Sequence, residues 1–370
     1  MLKRLFSRFG AHLTKNALSQ YKESLKIKSW QIHAYGDLSE MHLDVIRLPV
    51  IKNPNEVLVH VKAASVNPID LYMLGGYGRT LFQVQRSFEL EFPLTLGRDF
   101  SGTVIAKGLG VGNEINIGDE VYGFIPIHKQ GSFAETVLTE KGHLRPKPKH
   151  LSHTESASLV YTTMTAWSAL FVFGNLCFRQ TKGLRVLVLG ASGGVGCSAI
   201  QLLKSQSCEV FGTCSGDAMP MVQGLGADQV FNYKDEHFMK QVAQEGRYHI
   251  ILDGAKFGYQ NIPKSWQYDT YITLNSPLLT NTDRYGVLGG LVYSLNNLLE
   301  ANVGSQSAGG SVRWGFFVPC SNGFEFIDNI IKSGKIKPVI HKVFKFENLP
   351  DGLKAVSEGH LRGKIVIDYD

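Results

Sequence analysis

The chain has 370 residues, 44% hydrophobic and 19% charged, a globular composition long enough for two domains and unlike a disordered chain. Its 39 glycines follow no Gly-X-Y period, which excludes collagen. The net charge of +6 is local: residues 1–30 carry seven Lys or Arg against the single acid Glu23, and the remainder is formally neutral, so the charge is no argument for nucleic-acid binding.

At the N-terminus Leu2, Leu5, Phe6, Phe9 and Leu13 recur at helical spacing, with Arg4, Arg8 and Lys15 between them. An amphipathic, cation-rich, acid-poor stretch has the composition of a mitochondrial transit peptide, assigned to residues 1–27; a basic surface helix is the alternative. Residues 28–155 read as short strands and turns. Glu56–Lys62 alternates apolar and polar side chains, and Glu120–Ile125 and Ser132–Leu138 follow as further strands of a β-rich, barrel-like unit. Residues 156–178 form an uncharged run broken by Ser156, Ser158, Thr162, Thr163 and Thr165, which predicts a buried interdomain helix and no transmembrane span.

Strands then alternate with helices. Arg185–Leu189, Glu209–Thr213, Gln229–Tyr233 and Tyr248–Leu252 are strands separated by helical stretches near 195–205, 219–224 and 237–244. This alternation predicts a doubly wound parallel sheet over residues 156–324, with Tyr271–Leu274 and Trp314–Phe317 as later strands. Residues 325–370, a helix and two strands, are predicted to return to the first unit and complete it.

Five scattered cysteines without C-x-x-C spacing fit a reducing compartment and argue against both a disulfide framework and structural zinc. The twelve histidines form no cluster. The segment Leu278–Leu299 is apolar and glycine-punctuated; it is read as a wall for a hydrophobic acceptor, as a homodimer contact, or as core.

The strongest motif is Val186–Gly196, VLVLGASGGVG, with glycines at 190, 193, 194 and 196. Following a strand and opening a helix, these glycines let the chain turn, let backbone N–H groups approach a pyrophosphate, and let helix and strand pack closely. The helix N-terminus adds about half a positive charge toward that anion. At the end of the second strand the neutral Ser215 tolerates a 2′-phosphate, and Tyr233 ends the next strand; Asp217 stays open as an NAD ligand, and no Arg stands beside Ser215 in the sequence. NADPH is the expected cofactor, with NADH as the alternative.

With those pieces in place the chain resembles the quinone-oxidoreductase branch of the medium-chain dehydrogenase/reductase superfamily. The blocks that carry the resemblance are Ser65–Leu71 (SVNPIDL), Pro93–Val104 (PLTLGRDFSGTV), Gly118–Gly123 (GDEVYG), Gly131–Leu138 (GSFAETVL) and the glycine turn. Later blocks, Tyr271–Tyr285, Arg313–Phe317, Ser333–Ile340 and His360–Val366, are similar to a mitochondrial NAD(P)H oxidoreductase group tied to ubiquinone metabolism. That resemblance implies an α/β fold of a GroES-like β-barrel domain and a Rossmann domain, with the site in the cleft between them. It also implies targeting to the mitochondrial matrix and a reticulon-type protein partner.

Zinc-dependent relatives place a Cys in the block that reads Asn67–Asp70 here and Gly-His-Glu where this chain has Gly97-Arg98-Asp99, so no metal is expected. The resemblance implies cofactor contacts at Ser192, Gly193, Gly194, Val195, Ser215, Tyr233, Leu274, Gly315 and Phe317, and catalytic roles for Tyr72, Asn67 and Asp70. Three departures touch the nicotinamide end. Leu74 stands where relatives often have Arg, Gly78 stands where they have Tyr (Tyr77 is one place off), and Asp253-Gly254-Ala255-Lys256 replaces an Asp-Asn pair. The expected reaction is hydride transfer from NADPH to a quinone or enone, whose added electrons delocalise onto oxygen. The alternatives are an NADPH-binding sensor with little turnover and an enoyl-thioester reductase.

Overall fold

The computed structural model describes residues 25–86, 90–305 and 310–370. The expected leader lies outside the described residues except for 25–27, and of these Lys26 and Ile27 already belong to strand β1 (Lys26–Ile32). β1 pairs antiparallel with β2 (His42–Arg47). The alternating stretch predicted from residue 56 becomes the long strand β3 (Glu56–Val66), which is followed by α1 (Pro68–Leu74), α2 (Arg79–Gln85) and β4 (Leu94–Thr95). Strands β5 (Asp99–Lys107), β6 (Glu120–Phe124), β7 (Thr136–Glu140) and β8 (Leu144–Pro146) complete this part.

The uncharged run folds as α3 (His153–Trp167), extended by a π-helical turn over Ser168–Phe173. Its start is written locally: Ser152 Oγ accepts from Glu155 N at 3.1 Å, and the Glu155 carboxylate accepts from Ser152 N at 2.8 Å, a reciprocal capping box. Among the described residues, His153–Phe173 is the one helix long and apolar enough to cross a membrane, and 72% of its most apolar window is buried inside the protein.

The alternating half supplies β9 (Arg185–Leu189), α4 (Gly194–Ser205), β10 (Glu209–Cys214), α5 (Met219–Gly224), β11 (Gln229–Asn232), α6 (Phe238–Gln244), β12 (Tyr248–Asp253), β13 (Tyr268–Thr273), α7 (Leu278–Ser305) and β14 (Ser311–Trp314). These six strands form one parallel sheet in the order β11-β10-β9-β12-β13-β14, the doubly wound arrangement of dinucleotide-binding folds. The chain then runs through α8 (Ser321–Lys332), β15 (Ile340–Lys345), α9 (Leu349–Glu358) and β16 (Lys364–Asp368). β15 and β16 join the other large sheet, ordered β15-β16-β3-β5-β6-β8 with β7 on β3, and Val366 of β16 stands opposite Ser65 of β3. The fold is therefore α/β, a GroES-like barrel sheet beside a Rossmann sheet.

The expected domain boundaries at 155/156 and 324/325 fall inside α3 and α8, so continuous helices cross both points. The reason lies in packing. Leu159, Val160 and Met164 of α3 share one core with Tyr122 and Phe124 of the barrel, Val186 and Val188 of the Rossmann sheet, and Phe324 of α8. The predicted apolar segment is α7, and it is broken at Gly286, whose φ of 72° and ψ of 176° are not helical.

Candidate active site

The glycine turn is shaped by close approach. A Cβ on Gly196 would lie 2.2 Å from Gly190 O, so the first turn of α4 crosses the end of β9 only because position 196 has no side chain. Gly190 itself has a φ of 78°, in the left-handed region that glycine adopts freely. Gly193, the residue before α4, faces open space apart from Gly190 O at 3.5 Å. The unpaired N–H groups of the first turn of this 12-residue helix therefore open beside Ser192, Gly193, Gly194 and Val195, all half-buried.

The remaining candidate cofactor residues lie along the same edge, at the carboxyl ends of the parallel strands. Ser215 follows β10, and Tyr233 follows β11 with its N–H donating to Cys214 O at 3.1 Å. Leu274 follows β13, and Gly315 and Phe317 follow β14. Gly315 is buried, and an added Cβ would crowd Ala169, Ile272 and Leu274 at 3.1 Å each. The Phe317 ring stacks on Tyr161 at 4.4 Å.

The structure also brings in a residue the sequence reading did not place. Gly363, just before β16, donates from its N–H to Ser192 O at 2.9 Å, and Gly193 and Gly363 form a parallel bridge. That contact sets Arg362 beside the end of β10, where its guanidinium pairs with Asp217. No local pattern announces this pair, because Arg362 reaches Asp217 only through the return of the last strand.

The opposite wall is the barrel, and it is ionic. Asn67 precedes α1, and its N–H donates to the Asp70 carboxylate at 2.8 Å. Asn67 Nδ2 donates to Asp99 at 3.2 Å, while its Oδ1 accepts from Lys364 Nζ at 2.6 Å. Asp70 also accepts from Gly97 N at 3.0 Å and lies 3.8 Å from Arg98 Nε. All of these side chains are buried. Burial pushes the Asp70 carboxyl up to about 6 despite the pull of Arg98, and it raises Asp99 against the pull of Lys364. The same burial lowers Arg98 and Lys364. Asn67 and Asp70 are thus enclosed in the wall, and only Tyr72 of the three expected catalytic residues stands on its surface.

Across from Tyr72, the Lys256 ammonium hydrogen-bonds the phenol oxygen and lies 5.1 Å from the ring centroid. The loop carrying Lys256 is organised by Asp253, whose carboxylate accepts from Ala255 N, Phe257 N and Gly258 N at 3.0 Å each. Tyr77 stands 5.5 Å from Tyr72, ring to ring. The displaced aromatic has a steric cause: Gly78 has a φ of 80°, and a Cβ there would meet the Phe82 ring at 2.5 Å. Asp283 of α7 closes this end by accepting from Gly78 N at 2.6 Å and Thr80 N at 2.9 Å. Among the described residues no three His, Cys, Asp or Glu side chains gather as a metal ligand set.

Comparison with known proteins agrees with this geometry. Residues 53–149 match the alcohol dehydrogenase GroES-like domain, and residues 225–367 match the zinc-binding dehydrogenase family. The Drosophila melanogaster protein named mitochondrial NAD(P)H oxidoreductase RTN4IP1 is 41% identical over 94% of this chain and 87% of its own length. The Homo sapiens protein of the same name is 39% identical, over 93% and 90%. In fold, the quinone oxidoreductase of Coxiella burnetii superposes with a TM-score of 0.74 at 24% identity, covering 93% of this chain and all of its own. The chain belongs to the medium-chain dehydrogenase/reductase superfamily and, within it, to the NAD(P)H oxidoreductase family of these mitochondrial relatives.

Proposed function

We propose that the protein is a zinc-independent, NADPH-dependent oxidoreductase of the mitochondrial matrix that reduces a quinone or a related enone in ubiquinone metabolism. The observation that carries this reading is the open glycine turn facing, across one cleft, a barrel wall that presents Tyr72. When bound, the nicotinamide supplies the hydride. The first turn of α4 binds the pyrophosphate, while Ser215, Tyr233 and Arg362 hold the adenosine ribose and its 2′-phosphate. Leu274, Gly315 and Phe317 flank the nicotinamide. Residues 156–324 thus form most of the cofactor side and 28–155 with 325–370 most of the acceptor side, with Arg362 crossing to the cofactor and Lys256 to Tyr72.

Hydride and one proton together convert a quinone to its hydroquinone. Lys256 donates to the Tyr72 oxygen, which leaves the phenolic proton free for the acceptor oxygen that gains charge. Such donors aimed at developing charge contribute about a hundred- to a thousandfold in rate. Holding the partners in register contributes up to about 7–11 kcal/mol. Asn67 and Asp70 act as positioning residues, fixing the start of the helix that carries Tyr72.

The residues present do not fit a catalytic zinc. Such a site needs three protein ligands and an open position, whereas Asn67–Asp70 holds no Cys and Gly97–Asp99 no His. Both carboxylates in these blocks are already held: Asp99 accepts from Ser65 Oγ at 2.7 Å and from Asn67, and Asp70 from two backbone N–H groups.

Stopped-flow oxidation of NADPH with a short-chain quinone, with an enoyl thioester, and after exhaustive chelation tests the reading. Quinone-dependent oxidation unaffected by chelation is expected. Tight NADPH binding without acceptor-dependent oxidation would make the protein a sensor. Faster turnover of the thioester, or loss of activity when chelation strips stoichiometric zinc, would also overturn the assignment.

A further inference from the structure

Helix α3 opens to the cleft at one place. From Ser156 to Met164 every residue is buried except Tyr161, which is half-buried. The helix's other hydroxyls find partners close by: Ser158 Oγ donates to Glu155 O at 2.7 Å, Thr165 Oγ1 to Tyr161 O at 2.7 Å, and Thr163 Oγ1 to Ser198 Oγ at 3.2 Å. The Tyr161 hydroxyl has no hydrogen-bond partner among the described residues. Its ring is nevertheless fixed. Phe317 lies parallel to it, centroids 4.4 Å apart and planes within 5°, and packs T-shaped on Phe124 at 5.3 Å. A polar group held in place yet left without a protein partner is one that a ligand can satisfy.

The groups that act on this hydroxyl belong to the ionic wall. Burial raises its pKa well above the ordinary phenol range, the Asp70 charge raises it further, and Arg98 opposes them. The proton therefore stays on Tyr161, and the hydroxyl serves as a hydrogen-bond donor rather than as an acid. Tyr72 is placed differently: it is 38% exposed at the mouth of the cleft, with Lys256 on its oxygen. Tyr77 stands between the two, 5.5 Å from Tyr72 ring to ring and near enough to Tyr161 to act on its charge. One hydroxyl thus lies on the floor of the cleft and one at its mouth, carried by separate helices, α3 and α1.

We propose that Tyr161 is a second catalytic residue, donating a hydrogen bond to the acceptor oxygen on the floor while Tyr72 serves the oxygen at the mouth. The proposal rests on the quinone reading above and narrows it. Donors at two ends of one cleft fit an acceptor with oxygens at opposite ends of one ring, a para-quinone, whereas an enone or thioester offers a single carbonyl oxygen. Hydride, released as NADPH becomes NADP+, brings two electrons and one proton. The Tyr72 hydroxyl supplies the second proton and recovers it from solvent through the Lys256 ammonium, so the quinone leaves as neutral hydroquinone. As the electrons enter the ring, charge spreads onto both oxygens, and a donor fixed beforehand on the floor stabilises the share that Tyr72 does not reach. Phenylalanine at 161 would stack on Phe317 equally well, so packing does not account for the hydroxyl.

The test is Tyr161→Phe, which keeps the ring and removes the hydroxyl, with NADPH binding by fluorescence titration as the check on folding. NADPH affinity should be unchanged, and kcat for a short-chain para-quinone should fall about a hundredfold. Equilibrium titration of the NADP+-loaded protein should show hydroquinone binding weakened about tenfold and phenol binding, with one oxygen, by less than about twofold. An unchanged kcat, or equal losses for hydroquinone and phenol, overturns the proposal. So does NADPH binding that falls in step with kcat, which would make Tyr161 a packing residue. Wild-type protein that binds NADPH but oxidises it with no para-quinone would instead remove the reading on which the proposal rests.

Discussion

On the Rossmann edge of the cleft the chain is shaped by missing side chains: Gly190 turns, Gly193 stays open, and Gly196 admits a backbone oxygen to within 2.2 Å of where a Cβ would stand. The barrel wall opposite is shaped by excess functionality, with Asp70, Arg98, Asp99 and Lys364 all buried and interlocked through Asn67. The first wall leaves donors free for an anion, whereas the second consumes its donors among its own residues. The two are joined, since Lys364 bonds Asn67 and Val66 O while its stem runs beneath Gly194, where a Cβ would meet Lys364 Cδ at 2.9 Å. Binding capacity and positioning are thus built separately and coupled through one lysine.

Substitution can break either side. Gly196→Ala should have the largest effect, about 4 kcal/mol or more, because both clashing groups are backbone. Denaturant midpoints and NADPH titration would show it, and near wild-type binding would refute the turn geometry. Lys364→Met should cost about 3 kcal/mol by stranding Asp99 without a cation. The sign with pH follows from Asp99: its folded pKa rises further, so the deficit of the variant is greatest near neutrality and shrinks as pH falls toward the unfolded carboxylate range. A pH-independent deficit would mean that Lys364 acts through packing alone.

Smaller changes sharpen the contrast. Arg362→Gln should weaken NADPH binding about ten- to a hundredfold while sparing NADH, as loss of one charge-assisted contact predicts. Equal effects on both cofactors would remove Arg362 from the 2′-phosphate. Tyr72→Phe should lower kcat about a hundredfold with the NADPH dissociation constant unchanged, measured by single turnover with a quinone. The mildest effect belongs to Asp70. Because burial holds its carboxyl at about 6, the native state keeps a proton that the unfolded chain releases near 4. Its contribution to stability therefore falls as pH rises from about 4 to about 6 and is level above. Unfolding free energies of wild type and Asp70→Asn across that window should differ in slope.

The glycine turn, the alternating strands and the uncharged helix α3 were readable from residue order because each is a pattern written within a short stretch of chain. Glycine spacing encodes a close approach directly, and Ser152 with Glu155 encodes a cap. The family blocks added the cleft and Tyr72. Three features needed the folded chain: Arg362 beside Asp217, Lys256 against Tyr72, and the outward rotation of α7. In the first two, the partners lie far apart in sequence, and the crossover of strands alone brings them together. In α7, sequence shows that one stripe is apolar, but which stripe faces the core depends on Asn281, Thr282 and Val312 already being in place. Local rules thus determined the elements and the anion-binding turn, and long-range packing decided which charges meet and which apolar face is left uncovered.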